Sequence, residues 1–430
     1  MMFSFPQRRA RVALFLVCGL IWQSGQAAGT LSIGQAVSLA LQDNPGLAEV
    51  QARAEAAAHR PSQVGALPDP VLSLNAANLP LDSFDLTQEP MTQFQVGISQ
   101  KLPWPGKLEL RAEATRLMAL GKQDATREAR LMLARDVRRS WWNLFYLDRA
   151  LATVEDNQSR LRSFVQVVQA KYRVGEGLQQ DVLLAQVELS GQLERAVRLR
   201  GMRRSEAARL QALMGHPGDS LVELPAVDPP ELLNLEGAEV WLQQALAERP
   251  LLSMKQHTLD ASNRRLELAR KGIYPDFTLK GAYGLRGGNN PDGSSRSDFL
   301  SIGVSLNLPI FQGSKQDREV DQRTSERMEA RYALDDARRT IREQVERALA
   351  DYEQGREQAR LLLNGIIPQT EQTVASMLAG YQVDKVDFLT LVRTQIKLNN
   401  FRIAYWKALS QAKQAEARLL AAVGGENNHE

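Results

Sequence analysis

Cysteine occurs once in the 430 residues, at Cys18, and histidine only four times. The cysteine sits in a leader, MMFSFPQRRARVALFLVCGLIWQSGQAAG, with a basic start (Arg8, Arg9, Arg11), an apolar core from Val12 to Trp22, and small residues at Gly25 and Ala27. That is the layout of a secretory signal peptide over residues 1–27, and its apolar run is too short for a bilayer anchor. Val17 stands where a lipoprotein signal needs a small residue, which disfavours lipid attachment at Cys18. An exported chain without another cysteine can form no disulfide and do no thiol chemistry. His59, His216, His257 and His429 are scattered, with no second ligand at helical spacing. Nucleophile-elbow, phosphate-loop and zinc signatures are also missing. We therefore expect no catalytic residues, no cofactor, no metal site and no enzyme. The 53 basic residues include the three leader arginines, so beyond it 50 basic face 50 acidic residues; such a balance argues against a nucleic-acid partner. Past the leader there is no run of about 18 apolar residues, so no transmembrane helix is expected. Proline is absent from 107–216.

What is present is a chain written twice. LPDPVLSL at Leu67 recurs as IYPDFTLK at Ile273, and VGISQKLPWPGK at Val96 as IGVSLNLPIFQGSK at Ile302. KYRVGEGLQQDVLLAQVEL at Lys171 recurs as GYQVDKVDFLTLVRTQIKL at Gly380, and ARLQALMG as ARLLAAVG. The offset is nearly constant: 205 from Pro45 to Pro250, 206 from Pro103 to Pro309, 209 from Tyr172 to Tyr381. The expected division is a first repeat over 28–215, a linker over 216–237 rich in Pro and Gly, a second repeat over 238–424, and a disordered tail over 425–430. Each repeat reads as a helix (37–63; 240–271), two short strands, a long helical run, a break and a final helix. In the first long run Leu133, Val137, Leu144, Leu147, Leu151, Val154, Leu161, Val165 and Val168 form a seam at coiled-coil spacing. A single helix over 106–170 spans about 100 Å. Pro368 should kink the second copy. Trp141 and Trp142 read as packing residues.

The strands alternate cleanly. Leu72 and Leu74, then Phe94, Val96 and Ile98, then Phe277, Leu279 and Tyr283, and finally Leu300, Ile302, Val304 and Leu306 all fall on apolar faces. Small or polar residues such as Ser73, Gln95, Gly97, Ser301 and Gly303 lie between them. Four strands cannot close a barrel, and open edges are forbidden in lipid because backbone groups find no partner there. The consistent solution pools strands from several chains, apolar face to lipid and polar face to water. A symmetric homotrimer supplies twelve strands, and the long helices continue the cylinder.

The duplicated layout, the VGEGLQQDVLLAQVEL and YQVDKVDFLTLVRTQIKL tips, and LPWPG and LPIFQG after the second strand of each half resemble the TolC-type outer-membrane efflux proteins over essentially all of the mature chain. The resemblance implies a fold that is mainly α with a small transmembrane β part: tandem-duplicated long helices forming an α-barrel, plus four strands per chain in a trimeric twelve-stranded β-barrel. It implies an outer-membrane exit duct with a periplasmic helical extension. The implied partners are outer-membrane lipid, a periplasmic membrane-fusion adaptor and an inner-membrane efflux pump. QKLPWPGK looks most like members serving resistance-nodulation-division pumps for metal cations or drugs. Two other readings stay open at this point: a duct for type I protein secretion, and a periplasmic coiled-coil scaffold that forms no pore.

By the same resemblance the helix-hairpin tips close the tunnel and meet the adaptor. The first tip is Val174, Gly175, Glu176 and Gly177, with Asp181 starting the next helix, where it could also serve as a cap. The second runs from Tyr381 to Asp387. Tyr381 and Asp181 fall on positions that help hold the family's closed state, and a hydrogen bond between them is expected when the gate is shut. Asp384 stands where the second tip usually has glycine. Thr390 and Arg393 replace acidic residues that ring the pore in some members, leaving Asp384 and Asp387 as the acidic groups nearest the tip. Trp104, after the second strand, is expected to anchor at the membrane interface.

Overall fold

The computed structural model describes residues 30–216, 222–226 and 228–425. The expected leader and nearly all of the expected tail lie outside the described residues. The first repeat opens with α1 (Ile33–Asp43), α2 (Pro45–Ala58) and α3 (Arg60–Gly65). The single helix expected over 37–63 is therefore broken. Pro45 disfavours the helical region for the residue before it, and Asn44 is extended (φ −73°, ψ 117°). Asn44 then caps α2, its Oδ1 accepting from the Leu47 N–H at 3.0 Å. The second repeat breaks in the same way at Arg249, between α6 (Ala238–Glu248) and α7 (Pro250–Arg270). Gly215 and Gly424, which end the matched ARLQALMG and ARLLAAVG segments, adopt φ of 78° and 82°. A Cβ on Gly215 would stand 2.4 Å from the Asp43 carbonyl oxygen, and one on Gly424 2.9 Å from the Glu248 carbonyl. Each repeat thus seats the end of its last helix in its own opening break.

The long helices form as the seam requires. α4 (Lys107–Arg173) holds 67 residues, about 100 Å at 1.5 Å per residue. It turns into α5 (Gln179–Leu213). The second copy is α8 (Gln316–Leu361), a π-turn over Leu362–Ile366 and α9 (Ile367–Gln382), followed by α10 (Phe388–Val423). The kink expected at Pro368 appears as that π-turn: proline lacks the N–H and its ring crowds the carbonyl four residues back, so the helix widens just before it. Val137, Leu144, Leu147, Val154, Leu161 and Val168 are buried, and Leu133, Leu151 and Val165 pack at the margins of the same clusters. Trp141 is buried too, and its Nε1 donates to the Leu31 carbonyl at 2.9 Å. A band of buried amides crosses α4, α5 and α10. Gln395 Nε2 donates to Asn157 Oδ1 at 2.9 Å, Gln158 Nε2 to the Gln192 carbonyl at 3.0 Å, and Asn399 Nδ2 to Gln192 Oε1 at 3.4 Å. In an apolar seam such paired amides fix one helix register, since a slip would strand them.

Described parts of the linker lie packed on these helices. Tyr352 Oη donates to the Leu233 carbonyl at 2.9 Å, and the Leu31 N–H to the Glu223 carbonyl at 2.8 Å. At the far end, β1 (Val71–Ala77), β2 (Gln93–Leu102), β3 (Phe277–Leu285) and β4 (Phe299–Leu306) form one antiparallel sheet in chain order. The β2–β3 pairing joins the repeats, and β1 and β4 are its open edges.

Candidate functional site

The pairing register puts the alternation on one side. Leu72 lies opposite Ile98, Leu74 opposite Val96, Val96 opposite Tyr283, Leu279 opposite Val304, Tyr283 opposite Leu300, and Phe277 opposite Leu306. Directly opposed residues share a face. Phe94 and Ile302 join it, opposite Leu285 and Gly281. All twelve strand residues expected on the apolar face therefore fall together, and all but the half-buried Phe277 are exposed: Leu72 is 68%, Leu300 71% and Ile302 81% exposed. Ser73, Asn75, Gln95, Gly97, Ser99, Lys280, Ser301, Gly303 and Ser305 occupy the other side. No helix among the described residues is long and apolar enough to cross a membrane, an observation that does not bear on the strands.

The two ends of the sheet differ. Beyond one end, the loops 78–92 and 286–298 are clamped together: Arg296 Nη1 donates to the Thr87 and Glu89 carbonyls at 2.9 and 3.1 Å, and Arg286 Nη1 to the Pro90 carbonyl at 3.1 Å. Tyr283 Oη there donates to Asp298 at 2.6 Å. At the helix end Trp104 stacks on Tyr274 and Phe277, with ring centroids 4.9 and 5.7 Å away. Aromatic residues thus lie at both ends of the apolar band.

Asp276 locks the junction between sheet and helices, a role the sequence reading missed although it noted the recurring Pro-Asp. Its Oδ1 accepts from Lys107 Nζ at 2.8 Å and from the Trp104 N–H at 3.0 Å, while its own N–H donates to Asn307 Oδ1 at 2.7 Å. Lys107 is 8% exposed in its side chain and also donates to the Tyr274 carbonyl at 2.7 Å. Burial pushes the Asp276 carboxyl up. The hydrogen bonds from Lys107 and the Trp104 N–H, with the charges of Lys107 and Lys101, more than offset it, and the net shift is down. The matched Asp69 is exposed and makes no such contact.

The tips stand at the opposite end of α4. The breaks fall where expected, between α4 and α5 and between α9 and α10. Gly175 and Asp384 both take left-handed backbone, φ 81° and 56°, so the aspartate occupies a position that favours glycine. Val174 is exposed, as are Asp384 and Arg393. Gly177 lies so close to Lys171 and Tyr172 that a Cβ would come within 3.0 Å of the Tyr172 nitrogen. Asp387 is the cap of α10, its carboxylate accepting from the Thr390 N–H at 2.9 Å and Oγ1 at 2.8 Å. Those bonds hold its pKa down. Asp181 is not a cap: it lies in the first turn of α5, behind Leu178 at the cap position, whose side chain has no acceptor to offer.

Tyr381 and Asp181 approach one another without a hydrogen bond between them. Burial chiefly, and then the Asp181 charge, raises the Tyr381 pKa; burial and then Asp387 raise that of Asp181. Tyr381 is instead held by its ring, 6% exposed, against Phe388 at 5.4 Å. The group that joins the tips is Lys171, which no local pattern marked. Its Nζ donates to Asp384 Oδ1 at 2.6 Å and to the Tyr381 carbonyl at 3.2 Å.

Together these features define a class of duplicated long-helix proteins, with a one-sided antiparallel sheet at one end and two hairpin tips about 100 Å away. The chain belongs to the outer membrane efflux protein family, which matches residues 36–216 and again 241–425. The two matches coincide with the internal duplication. Among curated relatives, the alkaline protease secretion protein AprF of Pseudomonas aeruginosa is 24% identical over 61% of this chain, which spans 53% of AprF's length. The cobalt-zinc-cadmium resistance protein CzcC of Cupriavidus metallidurans is 23% identical over 91% of this chain and 89% of its own. Among solved structures, the outer-membrane channel OprN superposes with a TM-score of 0.78 at 18% identity, over 91% of this chain and 90% of OprN. That likeness shows a shared fold, mainly α with a few strands.

Proposed function

We propose that three copies assemble into an outer-membrane exit duct, a passive channel with no enzymatic activity. The observation that carries this is the sheet: one face apolar and bare, the other small and polar, and both edges unpaired. In hydrocarbon each unpaired backbone group costs several kcal/mol, so the edges must meet partners. Because the strands alternate in direction, β4 of one chain lies antiparallel to β1 of the next, and three chains close a twelve-stranded barrel. β2 and β3, 10 and 9 residues long, match the roughly 9–11 residues of a tilted strand crossing a bilayer, while the edge strands β1 and β4, with 7 and 8, are slightly shorter. The long helices carry the lumen into the periplasm, where the tips receive an adaptor and an inner-membrane pump. The tip residues named from the sequence, from Val174 to Arg393, belong to this receiving end.

Correspondence with CzcC along nearly the whole length, against half of AprF, supports efflux of small solutes such as metal cations over protein secretion. Two measurements test the reading. The purified protein in planar bilayers gives discrete conductance steps. A strain lacking this chain accumulates cobalt, zinc or cadmium while its protein secretion is unchanged. A purified protein that never conducts contradicts the duct; lost protein secretion with normal cation levels contradicts the cargo.

A further inference from the structure

Where the sheet meets the helices, α3, α4 and α7 form a groove of about 1370 Å³ that opens to solvent. α4 packs on α3 to one side and on α7 to the other, so the groove lies within the chain's own helical layer and not at its edge. Small residues keep it deep. A Cβ on Gly65 would stand 2.9 Å from Ala112 Cβ, and one on Gly106, where φ is 81°, 2.6 Å from Lys271 Nζ. The upper rim is aromatic. Trp104 stacks on Tyr274 and on Phe277, and Phe277 belongs to the apolar face of the sheet, so the groove opens on the side that the duct reading turns to lipid.

The charges on its walls do not all pair with one another. Arg116 meets Glu113 at 2.8 Å and Arg264 meets Glu267 at 3.0 Å. Arg270 is exposed and makes no hydrogen bond or ion pair among the described residues, and Lys271 Nζ reaches only the Pro105 carbonyl, at 3.3 Å. The exposed Glu109 lines the same groove, and among the described residues no cation pairs with it. Arg270 stands one helical turn, about 6 Å, beyond Tyr274. The headgroup zone of a leaflet is about 5–8 Å deep, so an aromatic rim at the edge of the hydrocarbon puts these cations at the level of phosphates. The duplication supplies a control. At an offset of 207, Arg264, Arg270, Lys271 and Tyr274 correspond to Ala57, Gln63, Val64 and Leu67, and at 206 Trp104 corresponds to Ile310. None of these side chains recurs at its matched position, so the set is no by-product of the repeat.

We propose that the groove seats the headgroup of a zwitterionic phospholipid from the adjoining leaflet. Arg270 and Lys271 hold its phosphodiester in charge-assisted hydrogen bonds, and Glu109 holds its ammonium. The acyl chains pass Trp104 and Tyr274 onto the apolar face of the sheet. This rests on the duct reading above and adds to it one fixed lipid per chain. The bound lipid bridges α4, α7 and the strands, and so sets the depth at which the barrel sits in the leaflet.

Native mass spectrometry of the assembled protein, stripped of lipid in detergent and titrated with phosphatidylethanolamine, tests the site. One phospholipid per chain binds saturably. Diacylglycerol, which lacks the phosphate, does not bind, and inorganic phosphate at equal concentration does not displace the lipid. Arg270→Gln and Lys271→Gln each weaken binding roughly ten-fold, the loss of one charge-assisted bond. Glu109→Gln weakens binding of phosphatidylethanolamine and spares phosphatidylglycerol, which has no ammonium. Arg318→Gln, which removes an exposed cation from α8 outside the groove, changes nothing. Gel mobility shows which variants assemble, and Arg270→Gln, at an exposed side chain, carries the test if Lys271→Gln does not assemble. Wild-type protein that conducts but takes up phosphatidylethanolamine no better than diacylglycerol, as a second copy covering the groove would produce, overturns the site and leaves the duct standing. So do assembled Arg270→Gln protein that binds as wild type, an equal loss from Arg318→Gln, and displacement by inorganic phosphate. Wild-type protein that neither assembles nor conducts overturns both.

Discussion

Ile302→Arg and Ser301→Arg are neighbouring substitutions with opposite expected outcomes. Ile302 is mid-strand on β4, opposite Gly281 and flanked on its face by Leu300 and Val304. An arginine on the lipid side near the bilayer midplane costs about 2–4 kcal/mol. In the proposed trimer three copies bring that to roughly 6–12 kcal/mol, comparable with the whole stability of many domains. Ser301 points to the polar face, opposite Ala282, where an arginine stays in water. Ile302→Arg should therefore abolish the heat-modifiable oligomer on gels and lower the urea midpoint in lipid vesicles. Ser301→Arg should assemble normally and, by placing three positive charges in the lumen, move the reversal potential toward anions. Equal losses from both, or a greater loss from Ser301→Arg, would refute the assignment of faces.

Other substitutions probe the helices and the junction. Asp276 has a folded pKa below its unfolded value, so its contribution is present above about pH 4 and is lost as pH falls through the folded value. Asp276→Asn should lower stability at neutral pH and flatten the acid limb of a stability-against-pH curve measured by urea unfolding. Leu144→Ala, at a fully buried position of the seam, should cost about 2–5 kcal/mol in the same assay. Gln192→Leu leaves the buried Asn399 amide without its acceptor and should cost about 1–3 kcal/mol, although leucine is the more apolar residue. Burial raises the Tyr352 pKa to about 12, so stability should fall as pH rises from about 10 through that value, and Tyr352→Phe should remove the last-titrating phenol from an absorbance titration.

Periodic features were readable in the sequence, and contacts between distant residues were not. The alternation that put Ile302 outward and Ser301 inward needs only a period of two, and the seam from Leu133 to Val168 only a period near 3.5. The repeat offset placed both tips, and the family's glycine pattern flagged Asp384. Its partner, however, is 213 residues away in sequence, and nothing near Lys171 distinguishes it from other helix-end lysines. Lys107 and Asp276 are likewise 169 residues apart. The breaks at Asn44 and Arg249 were legible, since each precedes a proline, but the apolar pattern runs on through both and favoured one helix. Asp181 looked like a cap because aspartate suits that role, yet the helix starts two residues earlier.

The proposed pooling of strands between chains can be tested directly. Beyond Cys18 the chain has no cysteine, so Ser73→Cys on β1 can be combined in turn with Ser301→Cys, Gly303→Cys and Ser305→Cys on β4 without background. Within one chain these edges are separated by β2 and β3, about 14 Å at normal strand spacing and far outside the roughly 7 Å limit for a disulfide. Oxidation of at least one pair should yield covalent dimers and trimers on non-reducing gels, with the series ending at three. Monomers alone from every pair, or a ladder running past three, would contradict the closed twelve-stranded barrel.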